Sequence, residues 1–545
     1  MTMAANSSDI EIIAEVPSRK RPIEILSDSD GCISDSDAGF EICEGPRPSQ
    51  RAKTTAKAES NATPVPQPNS RAKSPIKLTK VEALPASENI GAVGLRDLIG
   101  APDLTTMWQF NFSIDIPFVM EHVHPRALPT LKAHFVTGEK AGDNSKEALV
   151  LQSMLCAYPK NILVHAVLLQ KRYASHHTKM MVLGFGPGPA QIQIVIHTAN
   201  LTSFDWDNMT QGVWMSPRLT RLRPDQTNTS QFFSDFCEYL YNYGSITTGL
   251  VQMLKCYDFA QIRAVLIASA PCSARRGNKD YAKYGLHRLH AEVAKLALLG
   301  STTDHIVANV SAISSLGPTN DYLTHQVFRA LNGSTANREP DVIPKIIFPT
   351  VQDVMDSLNG FDSGIAIHYR QSQFYMKAQA RYLKNYLHSW AAERAGRARA
   401  APHIKTYLRV DSTWSHIKWF LLTSANLSKQ AWGIESKAGV FEVQSFELGV
   451  LLHPGLFSEN DDAACVDLVP VWKNDDPETQ ERRNSGPAPA RTDTTGGATA
   501  TSPVRIPIRM AYDLPPVPYV AGRDRAWDSG VSYEQEDWRG GTWQV

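Results

Sequence analysis

The sequence predicts an α/β protein whose two domains fold alike, and two observations support this. In both halves of the chain, short apolar runs typical of buried strands alternate with segments of helical periodicity. The string Thr198-Ala-Asn-Leu-Thr202 of the first half returns as Ser424-Ala-Asn-Leu-Ser428 in the second, which indicates an internal duplication. A chain of 545 residues is also longer than one hydrophobic core usually supports.

The overall composition predicts no particular partner. Lys plus Arg and Asp plus Glu number 55 each, so any attraction to nucleic acid must come from local patches. The seven cysteines are scattered and form no Cys-x-x-Cys pair, which favours reduced thiols over disulfides or a zinc site. No apolar run is long enough to span a bilayer, and no secretory signal opens the chain. We therefore expect a soluble intracellular protein without a membrane partner.

Residues 1–88 are predicted to be a disordered regulatory tail. They contain few aromatic residues and many Ser, Pro, Lys and Asp, so they bury too little apolar surface to fold alone. Residues 19–22 have the composition of a nuclear import signal. Residues 23–26 followed by Ser-Asp repeats resemble a SUMO-interacting segment. The alternative interpretation of the same repeats is a solvated acidic tail with phosphorylatable serines.

The first domain is predicted to span residues 89–265, with order beginning near Ile90. Ile162 to Leu169 has the pattern of a buried strand, and 179–185 and 192–197 that of a strand pair. The Gly/Pro-rich loop between that pair resembles a phosphate loop in composition only. Its two prolines lack backbone donors, so we interpret it as a surface hairpin. A helix is expected over 232–253.

The second domain is predicted to span residues 266–545, with a disordered insertion at about 474–503. The patterns predict helices over 288–299 and 374–390, and strands over 264–269, near 306, over 346–350 and over 419–423. His287, His290 and Glu292 have ligand-type side chains, but no third ligand motif lies nearby, so a metal site is rejected.

The duplicated element is a His-x-Lys triplet followed by an Asn 23 residues after the histidine. Its two copies are His177, Lys179 and Asn200, and then His403, Lys405 and Asn426. Residues i and i+2 of a strand point to the same face, so the His and Lys of each copy should project together. A single His-x-Lys arises often by chance, but two copies with equal spacing indicate a site.

Two imidazoles, two ammonium groups and two amides suit a phosphodiester. Cations and donors offset the charge that spreads over the phosphate oxygens. One histidine would attack phosphorus and form a phosphohistidine, while the other protonates the leaving oxygen and then deprotonates water. We therefore expect the two halves to close on a single phosphate, without a metal or any other cofactor.

Longer strings around these triplets resemble the phospholipase D superfamily and, within it, the tyrosyl-DNA phosphodiesterase family. They are Ser-His-His-Thr-Lys-Met-Met, Pro-His-Ile-Lys-Thr-Tyr, Ser-Ala-Asn-Leu-Ser-Lys-Gln-Ala-Trp-Gly, Ser-Phe-Glu-Leu-Gly, and Asp205-Trp206 with Thr210-Gln211-Gly212. Phospholipase D members usually carry an Asp five residues after the motif Lys, where this chain has Gly184 and Val410. Lipid hydrolysis is therefore the weaker interpretation. The resemblance implies two similar α-β-α sandwich domains related by a pseudo-twofold axis.

The resemblance also implies roles for individual residues. His177 would be the nucleophile and His403 the general acid and then base, with Lys179, Lys405, Asn200 and Asn426 holding the phosphate. Gln211 and Glu447 would orient the histidines, and which of them serves which histidine stays open. Contacts to DNA are implied for Tyr173, by stacking on bases, and for Ala312, Ile313, Ser314, Ser315 and Ser428, by contact with the backbone. Ala312 lacks a hydroxyl, so a contact there would come from its backbone. A packing tyrosine is the alternative for Tyr173.

The activity implied is that of a monomeric, nuclear DNA-repair enzyme. It would hydrolyse the bond between a DNA 3′-phosphate and a tyrosine left by topoisomerase I, together with other 3′ adducts, on single-stranded or duplex DNA. The alternatives are another nuclease or lipid phosphodiesterase of the same superfamily, and an inactive DNA-binding scaffold. Gln211 follows its Asn by 11 residues and Glu447 by 21. A neutral amide on one side and a carboxylate on the other should give the two histidines different surroundings.

Overall fold

The structure, a computed structural model, describes most of the chain from residue 73 onwards. The described residues are 73–140, 161–298, 303–334, 342–371, 374–458, 466–473 and 504–545. The tail motifs predicted at residues 19–22 and 23–26 and the insertion predicted at 474–503 lie outside them.

The first sheet places its strands in the order β1-β7-β6-β5-β2-β3-β4, with β8 beside β6. Its strands are β1 (Ile76–Leu78), β2 (Leu104–Phe110), β3 (Lys132–Lys140), β4 (Ile162–Leu169), β5 (Met180–Phe185), β6 (Gln191–His197), β7 (Gly212–Met215) and β8 (Leu219–Thr220). β2, β3 and β4 run parallel, whereas the pairs from β2 through β5, β6 and β7 to β1 are antiparallel.

The second sheet repeats the seven-strand path of the first, in the order β9-β18-β15-β14-β11-β12-β13, with β19 beside β15 and β20 beside β19. Its strands are β9 (Val265–Ser269), β11 (His305–Asn309), β12 (Ile343–Ile347), β13 (Leu387–His388), β14 (Lys405–Val410), β15 (Ile417–Thr423), β18 (Glu447–Leu452), β19 (Val466–Val471) and β20 (Val504–Arg509). The parallel and antiparallel pairs fall at the same places as in the first sheet. The predicted fold class, two similar α/β units, is confirmed.

A small separate sheet lies beside the second one. It consists of β10 (Cys272–Arg275), β17 (Val440–Val443) and β16 (Ile434–Glu435), paired antiparallel. β16 and β17 both come from the segment between Asn426 and Glu447, so this sheet accounts for the longer spacing in the second half.

Helices cover the sheets. They are α1 (Leu95–Ile99), α2 (Ile116–Glu121), α3 (Ser203–Asn208), α4 (Gln231–Tyr241), α5 (Thr248–Leu254), α6 (Gly285–Ala294), α7 (Arg329–Asn332), α8 (Val351–Met355), α9 (Phe374–Leu383) and α10 (Lys429–Trp432). A π-helical turn, Tyr322–Phe328, leads into α7, and short 3₁₀ turns occupy Gly244–Thr247, Gly360–Ala366 and Pro454–Leu456. No helix among the described residues is long and apolar enough to cross a membrane.

Strand β5 shows how the first sheet is buried on both faces. Met180 and Val182 belong to a hydrophobic cluster that extends through both halves of the molecule. Met181 and Leu183, pointing the other way, belong to a second cluster formed with α1 and α2. A continuous apolar run is therefore the expected signature of this strand, since neither face meets water.

Two predicted helices are shorter than their sequence patterns suggested. The one expected over 232–253 is divided into α4 and α5, because Gly244 adopts φ +60° between them. The one expected over 374–390 ends at Leu383, and Leu387–His388 forms β13 instead. Pairing with β12 decides that assignment, because a tertiary contact outweighs local helical preference.

The strand predicted at Ile162 to Leu169 has the predicted bounds but not the predicted burial. β4 is the last strand of the first sheet, and Leu163 and Leu168 are 43% and 53% exposed. Apolar runs of this length do not distinguish an edge strand from a central one.

Order begins earlier than the residue near 90 that composition suggested. β1 pairs with β7, and its Ile76 and Leu78 are buried. Ser74 accepts a hydrogen bond from the backbone N–H of Arg509. The segment cannot fold alone, but it adds to an existing sheet edge that supplies the burial it lacks.

We predict that Gly449→Ala destabilises the protein. A Cβ at this position of β18 would lie 2.6 Å from both the carbonyl oxygen of Leu422 and Cβ of Thr423. These atoms belong to the paired strand β15 and cannot yield without disturbing the pair, so we expect a loss of about 1–3 kcal/mol. Gly249→Ala is the matched control, because nothing lies within 4 Å of its Cβ position in α5. Chemical denaturation of both variants measures the difference, and equal stability of the two would contradict the packing argument.

Candidate active site

The two His-x-Lys triplets lie where the two halves meet. An open pocket at this junction, with a cavity volume of about 60 Å³, is lined by residues of both halves, among them His177, Asn426 and Glu447. His177 and His403 are both buried, as are Lys179 and Lys405. The pocket therefore joins His177 of the first copy to Asn426 of the second, although the two histidines lie 226 positions apart in the numbering.

Two short backbone bridges between the halves hold the histidines in place. His176 pairs with Phe446, and the N–H of His177 donates to the carbonyl of Phe446 at 2.9 Å. Thr210 pairs with Pro402, and the N–H of His403 donates to the carbonyl of Thr210 at 3.1 Å. Each bridge ends directly before a residue predicted to orient a histidine, Glu447 or Gln211.

The triplets lie at the starts of strands rather than within them. β5 begins one residue after Lys179, and β14 begins at Lys405 itself. Thr178, between the His and Lys of the first copy, contacts the hydroxyl of Tyr239, whereas Ile404 in the second is buried in the core. In both copies the middle residue of the triplet therefore packs into the protein interior.

His177 is held by a carboxylate from the other half of the chain. Its Nδ1 lies 2.9 Å from Oε2 of Glu447, the first residue of β18. The hydroxyl of Ser424 donates to the same carboxylate oxygen and accepts from the N–H of Leu448. Glu447 is therefore fixed from both sides, and the question of which residue serves His177 is answered by this contact.

His403 is held by an amide and a carboxylate, both from the first half. Nε2 of Gln211 lies 2.9 Å from its Nδ1, and Oδ2 of Asp205 also lies 2.9 Å from that atom. The sequence predicted a neutral amide beside one of the two histidines, and the amide of Gln211 lies at His403, but the carboxylate of Asp205 beside it was not expected. Asp205 was present in a matched string, but nothing in its spacing showed that it points at His403.

Burial acts to raise the pKa of the Asp205 carboxyl. The charge and hydrogen bond of His403, the backbone N–H of Asn200 and the charge of Lys405 outweigh that effect, so the pKa lies below its ordinary value. Asp205 is consequently an ionised carboxylate inside the protein.

The surroundings of Gln211 and Glu447 are equivalent in space despite their unequal spacing. Thr198, two residues before Asn200, donates to Oε1 of Gln211 at 2.7 Å and accepts from the N–H of Gly212 at 2.9 Å. Ser424, two residues before Asn426, makes the same pair of bonds to Glu447 and the residue after it. The ten extra residues in the second half lie in the segment that contains β16 and β17.

Two of the predicted phosphate-holding groups, Asn426 and Lys179, lie near His177. Oδ1 of Asn426 accepts from the N–H groups of Ser311 and Ala312 at 3.1 and 2.9 Å. This orients the amide so that its NH₂ donors remain for a ligand oxygen. Nζ of Lys179 donates to the carbonyl of His177 at 3.2 Å and lies 5.7 Å from the ring of Phe112.

The residues predicted to contact DNA are placed differently from one another. Tyr173, Ala312, Ser314 and Ser428 line the pocket, whereas Ile313 is fully buried in the core. The N–H of Ala312 already donates to Asn426 and its carbonyl accepts from Leu427. The backbone N–H and C=O of Ala312, which the sequence suggested as a contact to DNA, therefore already have hydrogen-bond partners inside the protein. Ser315 is partly exposed and is not among the pocket residues.

Two cationic residues at the pocket were missed from the sequence. Lys140, at the end of β3, and Arg172, beside Tyr173, both line it. Lys140 lies 37 positions before His177 in the numbering and belongs to no motif, so no sequence signal could have identified it.

No metal-binding cluster is found in the part of the chain that the structure describes. His287 stacks on Phe441 with ring centroids 3.8 Å apart, and Glu292 forms ion pairs with Arg288 and Lys295.

Comparisons with known proteins agree on one family. Residues 75–520 match the sequence model of the tyrosyl-DNA phosphodiesterase family. A Schizosaccharomyces pombe protein described as a probable tyrosyl-DNA phosphodiesterase is 31% identical, over 86% of this chain and 95% of its own. Tyrosyl-DNA phosphodiesterase 1 of Arabidopsis thaliana is 27% identical, over 90% and 80%. The solved structure of the yeast tyrosyl-DNA phosphodiesterase is similar in fold, with a TM-score of 0.59 at 19% identity, covering 83% of this chain and 99% of that one.

We predict that the protein loses stability as the pH is lowered, partly because of His176. Burial and the charges of Lys179 and His177 outweigh the hydrogen bond to Asn111 and lower the pKa of His176 from 6.5 to about 3. The unfolded chain therefore binds a proton that the folded protein excludes. The stabilisation is complete above about pH 6.5 and is lost as the pH falls towards 3, by about 1.4 kcal/mol per pH unit.

The measurement is urea denaturation of wild type and His176→Gln at pH 7, 6 and 5. Because the variant lacks the titrating group, the stability difference between the two proteins should shrink as the pH falls. His325→Gln, at an exposed position, is the control for replacing a histidine outside the core. A pH-independent difference for His176→Gln would show that this histidine does not contribute.

Proposed function

The chain belongs to the tyrosyl-DNA phosphodiesterase family, and from that membership we propose that it hydrolyses 3′-phosphotyrosyl bonds in DNA through a phosphohistidine. The observation that supports this best is the crosswise holding of the two histidines. Each has its Nδ1 against a carboxylate of the opposite half, Glu447 for His177 and Asp205 for His403. A carboxylate on Nδ1 makes Nε2 the nitrogen suited to act on a substrate.

In the first step, Nε2 of His177 attacks phosphorus and the bond from phosphorus to the tyrosine oxygen breaks. His403 donates its Nε2 proton to that oxygen, so tyrosine leaves as a neutral phenol. The phosphorylated imidazole gains positive charge, which the carboxylate of Glu447 stabilises at 2.9 Å. Lys179, Lys405 and the two motif asparagines would offset the charge on the phosphate oxygens.

In the second step, His403 is neutral and takes a proton from water as that water attacks phosphorus. The phosphorus–nitrogen bond to His177 breaks, leaving a DNA 3′-phosphate and a free imidazole. Protons balance over the cycle, since His403 recovers from water the proton that it gave to tyrosine. No step requires a metal ion.

We further propose that the tyrosine belongs to a peptide left by topoisomerase I, and that other 3′ adducts are processed at the same pocket. Tyr173 would stack on a DNA base, and Ser314 and Ser428 would contact the DNA backbone, because all three line the pocket. The peptide would occupy the opposite side. Because its substrates would be DNA adducts, we place the enzyme in the nucleus. We propose that it acts as a monomer.

The first activity prediction concerns His177 and metal ions. Wild type should convert a 3′-phosphotyrosyl oligonucleotide to its 3′-phosphate in EDTA, and His177→Ala should lose activity by a factor on the order of 10⁴–10⁶, as when a covalent nucleophile is removed. Denaturing gels measure the conversion. His325→Ala is the control for a histidine away from the pocket. Loss of wild-type activity in EDTA would exclude the metal-free mechanism, and faster turnover of phosphatidylcholine would favour a lipid phosphodiesterase.

The second activity prediction concerns His403. In His403→Ala the first step keeps its nucleophile, and phenol is a fairly good leaving group without an acid. The second step loses its base, so a covalent protein–DNA adduct should accumulate. A denaturing gel of a labelled oligonucleotide detects it as a band at the mass of protein plus DNA. If His177→Ala, His403→Ala and wild type all fail to show an adduct on rapid quenching, the phosphohistidine pathway is wrong.

A further inference from the structure

We propose that Asp205 is the positioning residue that keeps a proton on Nδ1 of His403, so that Nε2 can act as the base of the second step. This inference rests on the proposed function and adds a residue to it. Neither the duplicated triplets nor the orienting pair Gln211 and Glu447 includes Asp205.

One oxygen of Asp205 gathers three donors from three different parts of the site. Oδ2 accepts from the backbone N–H of Asn200 at 2.6 Å and from Nε2 of Gln211 at 2.9 Å, and it lies 2.9 Å from Nδ1 of His403. The side chain is almost completely buried, with 2% of its surface exposed. The hydrogen bonds from Asn200 and Gln211 fix Oδ2 so that it can accept a third one, from an N–H at Nδ1 of His403.

The orientation of Gln211 shows why the carboxylate is needed. Its Oε1 accepts from Thr198, whose own hydroxyl oxygen accepts from the N–H of Gly212. The amide is therefore fixed with Nε2 towards His403, and Nε2 can only donate. With this amide as its single partner, Nδ1 would have to be an unprotonated acceptor, and a neutral imidazole would carry its proton on Nε2.

That tautomer could serve as an acid but could not serve as a base. The second step needs a lone pair on Nε2 while His403 is neutral, which requires the proton to be on Nδ1. Asp205 is the group at Nδ1 that accepts such a proton. Gln211 is then free to donate to Asp205, and all three groups have compatible roles in both steps.

The second half of the chain has no equivalent of Asp205. Asp205 follows Asn200 by five residues, and the residue five after Asn426 is Ala431. The local backbone is the same in both places, because Thr202 and Ser428 cap α3 and α10 by accepting from the N–H of residues 205 and 431. His177 needs no such residue, since Glu447 supplies its carboxylate directly. The difference between Asp205 and Ala431 therefore separates the acid–base histidine from the nucleophile.

The test is Asp205→Asn, assayed on a 3′-phosphotyrosyl oligonucleotide by rapid quenching that follows adduct formation and adduct breakdown separately. The asparagine oxygen would accept from Asn200 and Gln211, and its NH₂ would donate to Nδ1 of His403, favouring the wrong tautomer. We expect adduct breakdown to fall by about 10²–10⁴-fold, the usual contribution of a general base. Adduct formation should fall less, so adduct should accumulate in the variant and not in wild type.

Two comparison variants sharpen the result. Gln211→Met removes the amide but leaves the carboxylate, so it should slow adduct breakdown less than Asp205→Asn does. Asp304→Asn removes a different buried carboxylate, which lies 2.8 Å from Nε of Arg409, and should leave the ratio of the two steps unchanged.

Each outcome has a distinct meaning. If wild type forms adduct and Asp205→Asn breaks it down at the wild-type rate, or loses both steps equally, the role of Asp205 is wrong. The same holds if Gln211→Met reproduces the breakdown defect and Asp205→Asn does not. If wild type neither forms adduct nor cleaves the substrate, the proposed function itself fails. Adduct accumulation requires a folded site, so it cannot be mistaken for the effect of an unfolded variant.

Discussion

The site depends on two backbone bridges that cross between the halves of the molecule. One joins the residue before His177 to the residue before Glu447, and the other joins the residue before His403 to the residue before Gln211. Each bridge positions the side chain that follows it, Glu447 or Gln211, against the histidine of the other half. Neither half alone therefore contains a complete histidine site. Separating the halves would remove the Nδ1 partner of both imidazoles at once.

The two bridges are related by symmetry because the two sheets are built alike. The seven principal strands of each half occur in the same order and with the same directions, so each histidine precedes the corresponding strand, β5 or β14. Thr198 and Ser424 then fix Gln211 and Glu447 by the same two hydrogen bonds. Ionised groups in such a buried place are tolerated only when they are paired. His176 and His197 lie beside Lys179, and no carboxylate of the described residues is at hydrogen-bond distance from either ring; burial and that charge lower the pKa of each to about 3.

The functional difference between the halves arises from a few side chains on this symmetric frame. Glu447 combines in one residue what Gln211 and Asp205 do together on the other side. Position 431 carries only a methyl group, although its backbone is capped as at position 205. A duplicated fold can thus assign different roles to two His-x-Lys triplets without altering the strands that follow them.

The sequence alone determined the features that depend on local pattern. These are the two α/β units, the strand pair β5 and β6, and the triplets with their asparagines, because periodicity and motif spacing are local properties. Contacts between residues far apart in the chain were decided only by the tertiary structure. The match of Glu447 with His177, the approach of Asp205 to His403, and the presence of Lys140 at the pocket all depend on how the two sheets meet. Burial of β4 was misjudged for the same reason, since a strand's position in its sheet is set by its neighbours. Sequence spacing suggested that the halves diverge after their asparagines, but the segment containing β16 and β17 holds the extra residues, so Gln211 and Glu447 occupy equivalent positions and the histidines differ only in the side chains around them.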